Sequence, residues 1–222
     1  MFNLFKKVHK DESLEEQKAD LSKYPTQTFQ ECVEGLGCDE IPGAIGVFGN
    51  VPVNPIPVNG PIGEIKYLSR LRVKHGPGFI FHRIGSVRIS DTTNPIDVFE
   101  IVSIDGHVWD ILYLDMYHPR RSVKAPKGYE FALFHEIYSK LSIGYGLTDR
   151  DILFPFNIPK IIEKRYDLLG TGIMGKKLAE QLQEILGDGQ KFKRPKDHEE
   201  KLREVVASLS PTSYFEMNVS FP

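Results

Sequence analysis

The sequence predicts an α+β fold: a small antiparallel sheet, a meander with a hairpin over 97–117, packed with several helices that are mostly C-terminal. Three observations lead there. Three β-rich runs follow one another closely: FIFHRIGSVRI at 79–89, DVFEIVSI at 97–104 and HVWDILYLDMY at 107–117. Asp105-Gly106 separates the last two and is a turn dipeptide of the type I′ hairpin. Beyond residue 128 the apolar residues recur at helical rather than strand spacing.

Each element has its own local reason. Residues 1–40 are charged, and Ser13 with Glu16 forms a capping-box pattern for a short helix that Pro25 ends after Tyr24. Residues 41–61, IPGAIGVFGNVPVNPIPVNGP, are rich in proline, which has no backbone donor, and in glycine, which resists regular structure. Their apolar members, among them Ile45, Val47, Phe48, Val53 and Ile56, predict a loop strapped across the core; an exposed ligand motif is the alternative. Asn59-Gly60-Pro61 reads as a helix start, and Ile62, Ile65, Leu68 and Leu71 continue it over 61–72. A strand is the alternative there, because Ile65, Tyr67, Leu71 and Val73 also fit period two. Gly85 interrupts the first β-run and predicts a bulge or bend.

C-terminal to the sheet, Phe131, Phe134, Ile137, Tyr138 and Leu141 predict a helix over 129–142. Further helices are expected at 159–168, 173–186 and 197–209, the last beginning with acids that suit a helix N-terminus. The tail SYFEMNVSFP alternates and predicts an edge strand. The whole chain, 1–222, reads as one domain.

The charge balance, 28 basic against 30 acidic residues, gives no electrostatic case for nucleic acid or an anionic membrane. No stretch approaches the roughly 20 apolar residues of a membrane span, and the start, MFNLFKKVHKDESLEEQ, lacks a signal-peptide core, so a cytoplasmic protein is expected. In that compartment Cys32 and Cys38 read as reduced thiols. Their spacing is not CxxC and no His lies close by to complete a ligand set, so no metal and no cofactor are expected.

Gly170-Thr171-Gly172-Ile173-Met174-Gly175 matches GxGxxG, and GTGIMGKKLAEQL resembles the opening of the nicotinamide-dependent hydroxyacid dehydrogenases. In that family the glycines bring backbone close to a pyrophosphate. The resemblance covers that stretch alone. The preceding KIIEKRYDLL reads as helix rather than buried strand, and too little chain follows for a dinucleotide-binding half. The glycines are therefore expected to form a helix–helix turn.

Period two sorts the third run. Asp110, Leu112, Leu114, Met116 and His118 share one face with Phe99 and Ile101, the better core. Trp109, Ile111, Tyr113, Asp115 and Tyr117 share the other with Val98, Glu100 and Val102. That second face is either an aromatic binding surface or a covered one. Past it, Pro119 ends the ladder and sends Arg120, Arg121, Lys124 and Lys127 toward solvent, where two adjacent guanidinium groups could hold an anion. The predicted function is an interaction module that engages a protein or a small anionic ligand through Trp109, Tyr113, Tyr117, His118, Arg120 and Arg121. The alternative is a hydrolase or phosphate-handling enzyme, with His82, Asp110, Asp115 and His118 as catalytic candidates and a His82–Asp110 pair if their strands are neighbours. No GxSxG elbow supports it, and His135-Glu136 lacks the second His of HExxH because position 139 is Ser.

Overall fold

A computed structural model describes residues 39–90, 93–132, 153–168, 172–187 and 189–210. The expected helix over 13–24, most of that over 129–142, the tail strand and both cysteines lie outside the described residues.

The meander is present, with strands β3 (Phe79–Val87), β4 (Ile96–Ser103) and β5 (Trp109–Asp115). β3 and β4 pair antiparallel, as do β4 and β5. A fourth strand makes the sheet mixed. β1, Ile56–Pro57 within the proline-rich strap, runs parallel to β5 with Ile56 opposite Leu114, giving the order β1-β5-β4-β3. Pro57 can sit there because β1 is an edge strand, where a missing donor is tolerated. Helix α1, Gly60–Arg70, follows directly with Pro61 in its first turn, and the chain continues as β2, Leu71–Val73. β2 pairs antiparallel with β6, Tyr129–Phe131. Residues 129–131 are thus strand, not the start of a helix: the backbone of 71–73 offers them a partner that no local pattern announces. The remaining helices are α2 (Ile158–Leu168), α3 (Gly172–Leu186) and α4 (Lys196–Ser208). Asp197 and Glu199 in the first turn of α4 oppose the helix dipole. Among the described residues, no helix is long and apolar enough to cross a membrane.

The β4–β5 hairpin forms, but its turn is not type I′. Gly106 has φ +79°, whereas Asp105 is not left-handed. Instead Gly106 N donates to Ser103 O at 2.7 Å and Ser103 N to Val108 O at 2.8 Å, leaving 104–107 as the loop. The side chains explain the choice. Asp105 Oδ1 accepts from Ser103 Oγ at 2.5 Å and from His107 N at 3.2 Å, so the carboxylate caps a longer turn. At Gly85 the register shifts by one residue. The extra residue puts Ile84 and Val87 in one cluster on the same face, although they are three apart.

The sheet is covered on both sides. On one, Phe79, Phe81, Phe99, Ile101, Leu112 and Leu114 pack with Ile56, Val58 and the α1 residues Tyr67 and Leu68. A fully buried Phe or Leu of this kind contributes about 1.5–3 kcal/mol. α1 turns Gly60, Gly63, Glu64, Tyr67 and Leu68 inward, while Ile62 is exposed, so the buried stripe is rotated from the expected Ile62–Ile65–Leu68 line. On the other side, Ile80, Val102 and Trp109 meet Phe154, Ile158, Ile162 and the α3 residues Leu178, Leu182 and Leu186. Beside them, Ile84, Val98, Ile111 and Tyr113 meet Val205 of α4.

Candidate functional site: polar centres on the two faces of the sheet

Strand alternation carries Glu100 of β4 to the helical face, and the register sets His82 of β3 directly opposite it. His82 Nε2 lies 2.7 Å from Glu100 Oε2. α4 supplies His198, whose Nε2 lies 3.0 Å from Oε1. Arg194, just before α4, donates from Nε to Oε1 at 2.7 Å and from Nη2 to Oε2 at 3.0 Å. Four N–H groups therefore converge on one carboxylate that is only 1% exposed. A carboxylate only accepts, so both imidazoles carry their proton on Nε2. Burial alone would push the Glu100 carboxyl up, but the bonds from His198, His82 and Arg194 outweigh it and hold it well below the ordinary range. Aromatic rings frame the group. His82 stacks on Phe154 with centroids 3.9 Å apart, and the Arg194 guanidinium sits 5.4 Å over Trp109. The arrangement is a latch that joins the start of α4 to the sheet.

The opposite face holds a second buried group. Glu64, in the N-terminal half of α1, and Asp97, at the start of β4, are hydrogen-bonded carboxyls, and Arg83 Nη2 donates to Asp97 Oδ1 at 2.7 Å. The end of β5 lies beside them: Asp115 acts electrostatically on Glu64, and Asp97, Asp115, Glu64 and Arg83 all act on the Tyr117 phenol. His118 Nε2 lies 2.9 Å from Asp115 Oδ2.

Asp110 forms a third centre. It accepts from Asn50 Nδ2 at 2.7 Å, from the Tyr129 hydroxyl at 2.9 Å and from Lys201 Nζ at 2.9 Å. Burial, reinforced by the Asp110 charge, pushes the Tyr129 phenol far up. Tyr129 therefore stays a donor throughout ordinary pH.

The four catalytic candidates thus divide among three places. His82 and Asp110 do not pair: β4 lies between their strands, and the two side chains occupy opposite faces. Glu100 takes the position expected of Asp110. His118 and Asp115 do meet. Of the six ligand-binding candidates, Trp109 and Tyr113 lie beneath the C-terminal helices, and Tyr117 is half-buried. Arg120 and Arg121 do not run out into solvent; they are 8% and 5% exposed. Pro119 ends the ladder, but the chain folds back, with Ser122 N donating to Pro57 O at 2.8 Å. Arg120 Nη1 donates to Asp39 Oδ1 at 2.5 Å, and Asp39 also accepts from Val123 N at 3.0 Å. Arg120→Ala is therefore expected to lower unfolding free energy by about 1–3 kcal/mol, read from the urea midpoint.

Glu64, Asp97, Arg83, Arg194 and His198 were not among the sequence candidates. Two had a signal. Asp97 shares strand parity with Phe99 and Ile101, and Glu64 stands at i, i+4 and i, i+7 spacing to Leu68 and Leu71. Of the 170–175 glycines, Gly172 and Gly175 lie within α3 rather than in a helix–helix turn, because the helix already begins at Gly172, while Gly170 lies outside the described residues; a helix, α2, comes before them, as expected. Among the described residues, no cluster of His, Cys, Asp and Glu is placed to hold a metal ion. Compared with family models, curated proteins and solved structures, the chain matches none.

Proposed function

We propose that the protein is a non-catalytic interaction module that binds another protein through the strap and the segment after β5. The observation that carries this reading is a set of apolar side chains held outward. Ile45, Val47 and Val53 on the strap and Val123 beyond β5 are 73%, 54%, 41% and 64% exposed. Contiguous exposed apolar groups mark contact surfaces, and an ordered backbone presents them without rearrangement. Here it is fixed from beneath. Phe48 is buried under the Lys124 ammonium at 5.0 Å. Gly49 O accepts from Tyr113 N at 2.8 Å, and Asn54 Nδ2 donates to Gly46 O at 2.9 Å. Ser122 Oγ donates to Asp39 O at 2.7 Å, and Lys124 pairs with Glu40. A loop ordered in advance loses less entropy on binding. On this reading Arg120 and Lys124, which follow β5, support the contact surface from below.

The test is the double variant Ile45→Asp/Val47→Asp. Both residues are exposed, so its stability is expected to stay within about 0.5 kcal/mol of the parent. A protein that co-purifies with the parent and is lost from the variant supports the reading. Identical partners on both proteins would sink it. Hydrolysis of a phosphate or ester substrate by the parent, lost in His118→Ala, would favour the enzyme instead.

A further inference from the structure

We infer that Glu64 and Asp97 share a single proton in the folded protein at neutral pH, and that this proton fastens the N-terminal half of α1 to the sheet, tightly in acid and loosely in alkali. The inference stands independently of the proposed function.

The geometry leaves little choice. The two residues are 3% and 4% exposed, and their carboxyl groups are hydrogen-bonded to one another. Ionised carboxylates only accept hydrogen bonds, so that contact requires a proton. Arg83 Nη2 donates to Asp97 Oδ1 at 2.7 Å, so the guanidinium is held by Asp97 rather than by Glu64. The proton therefore resides on Glu64. Glu64 Oε1 is buried without a hydrogen-bond partner, which a neutral carbonyl oxygen tolerates far better than a charged one.

Among the described residues, the cation that acts on Glu64 is Arg83, and it does not replace the proton. From β3, Arg83 opposes the effect, but it is engaged by Asp97. From the end of β5, Asp115 adds negative charge, with His118 bonded to it at 2.9 Å. The Tyr117 phenol, raised by burial and by Asp97, Asp115 and Glu64, stays neutral. Beyond the sheet, Arg121 Cγ passes 3.5 Å from where a Cβ on Gly63 would sit. Burial pushes the Glu64 carboxyl well above its ordinary value, and the charge of Asp97 and the bond to it push the same way.

α1 has other attachments: Gly60 N donates to Met116 O at 2.7 Å, and the Tyr67 hydroxyl to Lys124 O at 2.6 Å. Losing the proton leaves two like charges buried against each other, and Glu64 must leave the sheet to reach water. A raised folded-state value means that the proton's stabilisation is complete below the ordinary glutamate range. It is lost as pH rises through the folded value. At most one proton separates the folded and unfolded states, so the folding equilibrium constant falls by up to about tenfold per pH unit.

Infrared spectra of the parent in D2O at neutral pH are expected to show the carbonyl stretch of a protonated carboxyl, absent from Glu64→Gln. Between about pH 5 and about pH 8, the parent is expected to lose stability relative to Glu64→Gln, whose amide keeps a donor toward Asp97 at every pH. A parent without that band at neutral pH overturns the inference, and so does a band that persists in Glu64→Gln. Parallel stability–pH curves for the two proteins overturn it as well. The spectrum of the parent needs no variant, so the inference remains open to refutation even if Glu64→Gln fails to fold.

Discussion

Replacing Glu100 by Ala is expected to destabilise the protein by about 3–5 kcal/mol, the cost of leaving a buried charge without its counterion. Arg194 keeps its charge, and the Nε2–H groups of His82 and His198 lose their acceptor in a region where Glu100 itself is 1% exposed. Domains of ordinary stability have only about 5–15 kcal/mol in total, so a large part of the population would unfold on mild heating. Glu100→Gln keeps the shape but turns an amide N–H toward one of the donors, and it is expected to fall between the parent and Glu100→Ala. The pH dependence has the opposite sign to that of Glu64. The Glu100 carboxyl is held below its ordinary value, so its contribution is complete above about pH 4.3 and is lost as the medium acidifies further. Urea midpoints at neutral and acid pH check both points. A Glu100→Ala protein that melts with the parent would mean that the latch does not hold α4.

Gly106→Ala is expected to cost about 2–6 kcal/mol, from two independent causes. The backbone there has φ +79°, where a side chain is strained by about 1–3 kcal/mol. In addition, a Cβ would stand 2.1 Å from the carbonyl oxygen of Lys191, and backbone cannot rotate aside as a side chain can. Overpacking of this kind adds about 1–3 kcal/mol. Gly106→Asn separates the causes, because asparagine tolerates the left-handed region but carries the same Cβ. If the Lys191 contact dominates, both variants have equally low urea midpoints. A Gly106→Asn protein as stable as the parent would show that the segment before α4 yields easily.

Much of the meander was legible because its information is local. The alternation of Phe99 and Ile101 with Val98, Glu100 and Val102 separated the two faces correctly, and both proved to be covered. Gly85 marked the bulge. What escaped depends on partners distant in the chain. Ile56–Pro57 is a strand only because the free edge of β5 accepts it. Residues 129–131 are strand only because 71–73 lie beside them, and their aromatics also suited a helix. The turn type was decided by the Asp105 carboxylate bonding its neighbours rather than by the dipeptide. The polar centres were least legible. Glu100 draws its donors from residues 18, 94 and 98 positions away, and nothing near Arg194 or His198 points to it. A glutamate in an amphipathic helix, as Glu64 is, ordinarily faces water. Only its spacing to Leu68 and Leu71 indicated otherwise.

The parallel pairing of β1 with β5 also dictates an order of events. β3, β4 and β5 are joined by short connections and can zip together as neighbours. β1 must wait, because Ile56 finds Leu114 only after α1 and the whole meander have been laid down between them. Closing a loop of that length costs chain entropy before any contact returns it. The strap is thus expected to dock late in folding. Until it does, the free edge of β5 is an open template for pairing with another chain, and that interval is when the protein is most exposed to aggregation.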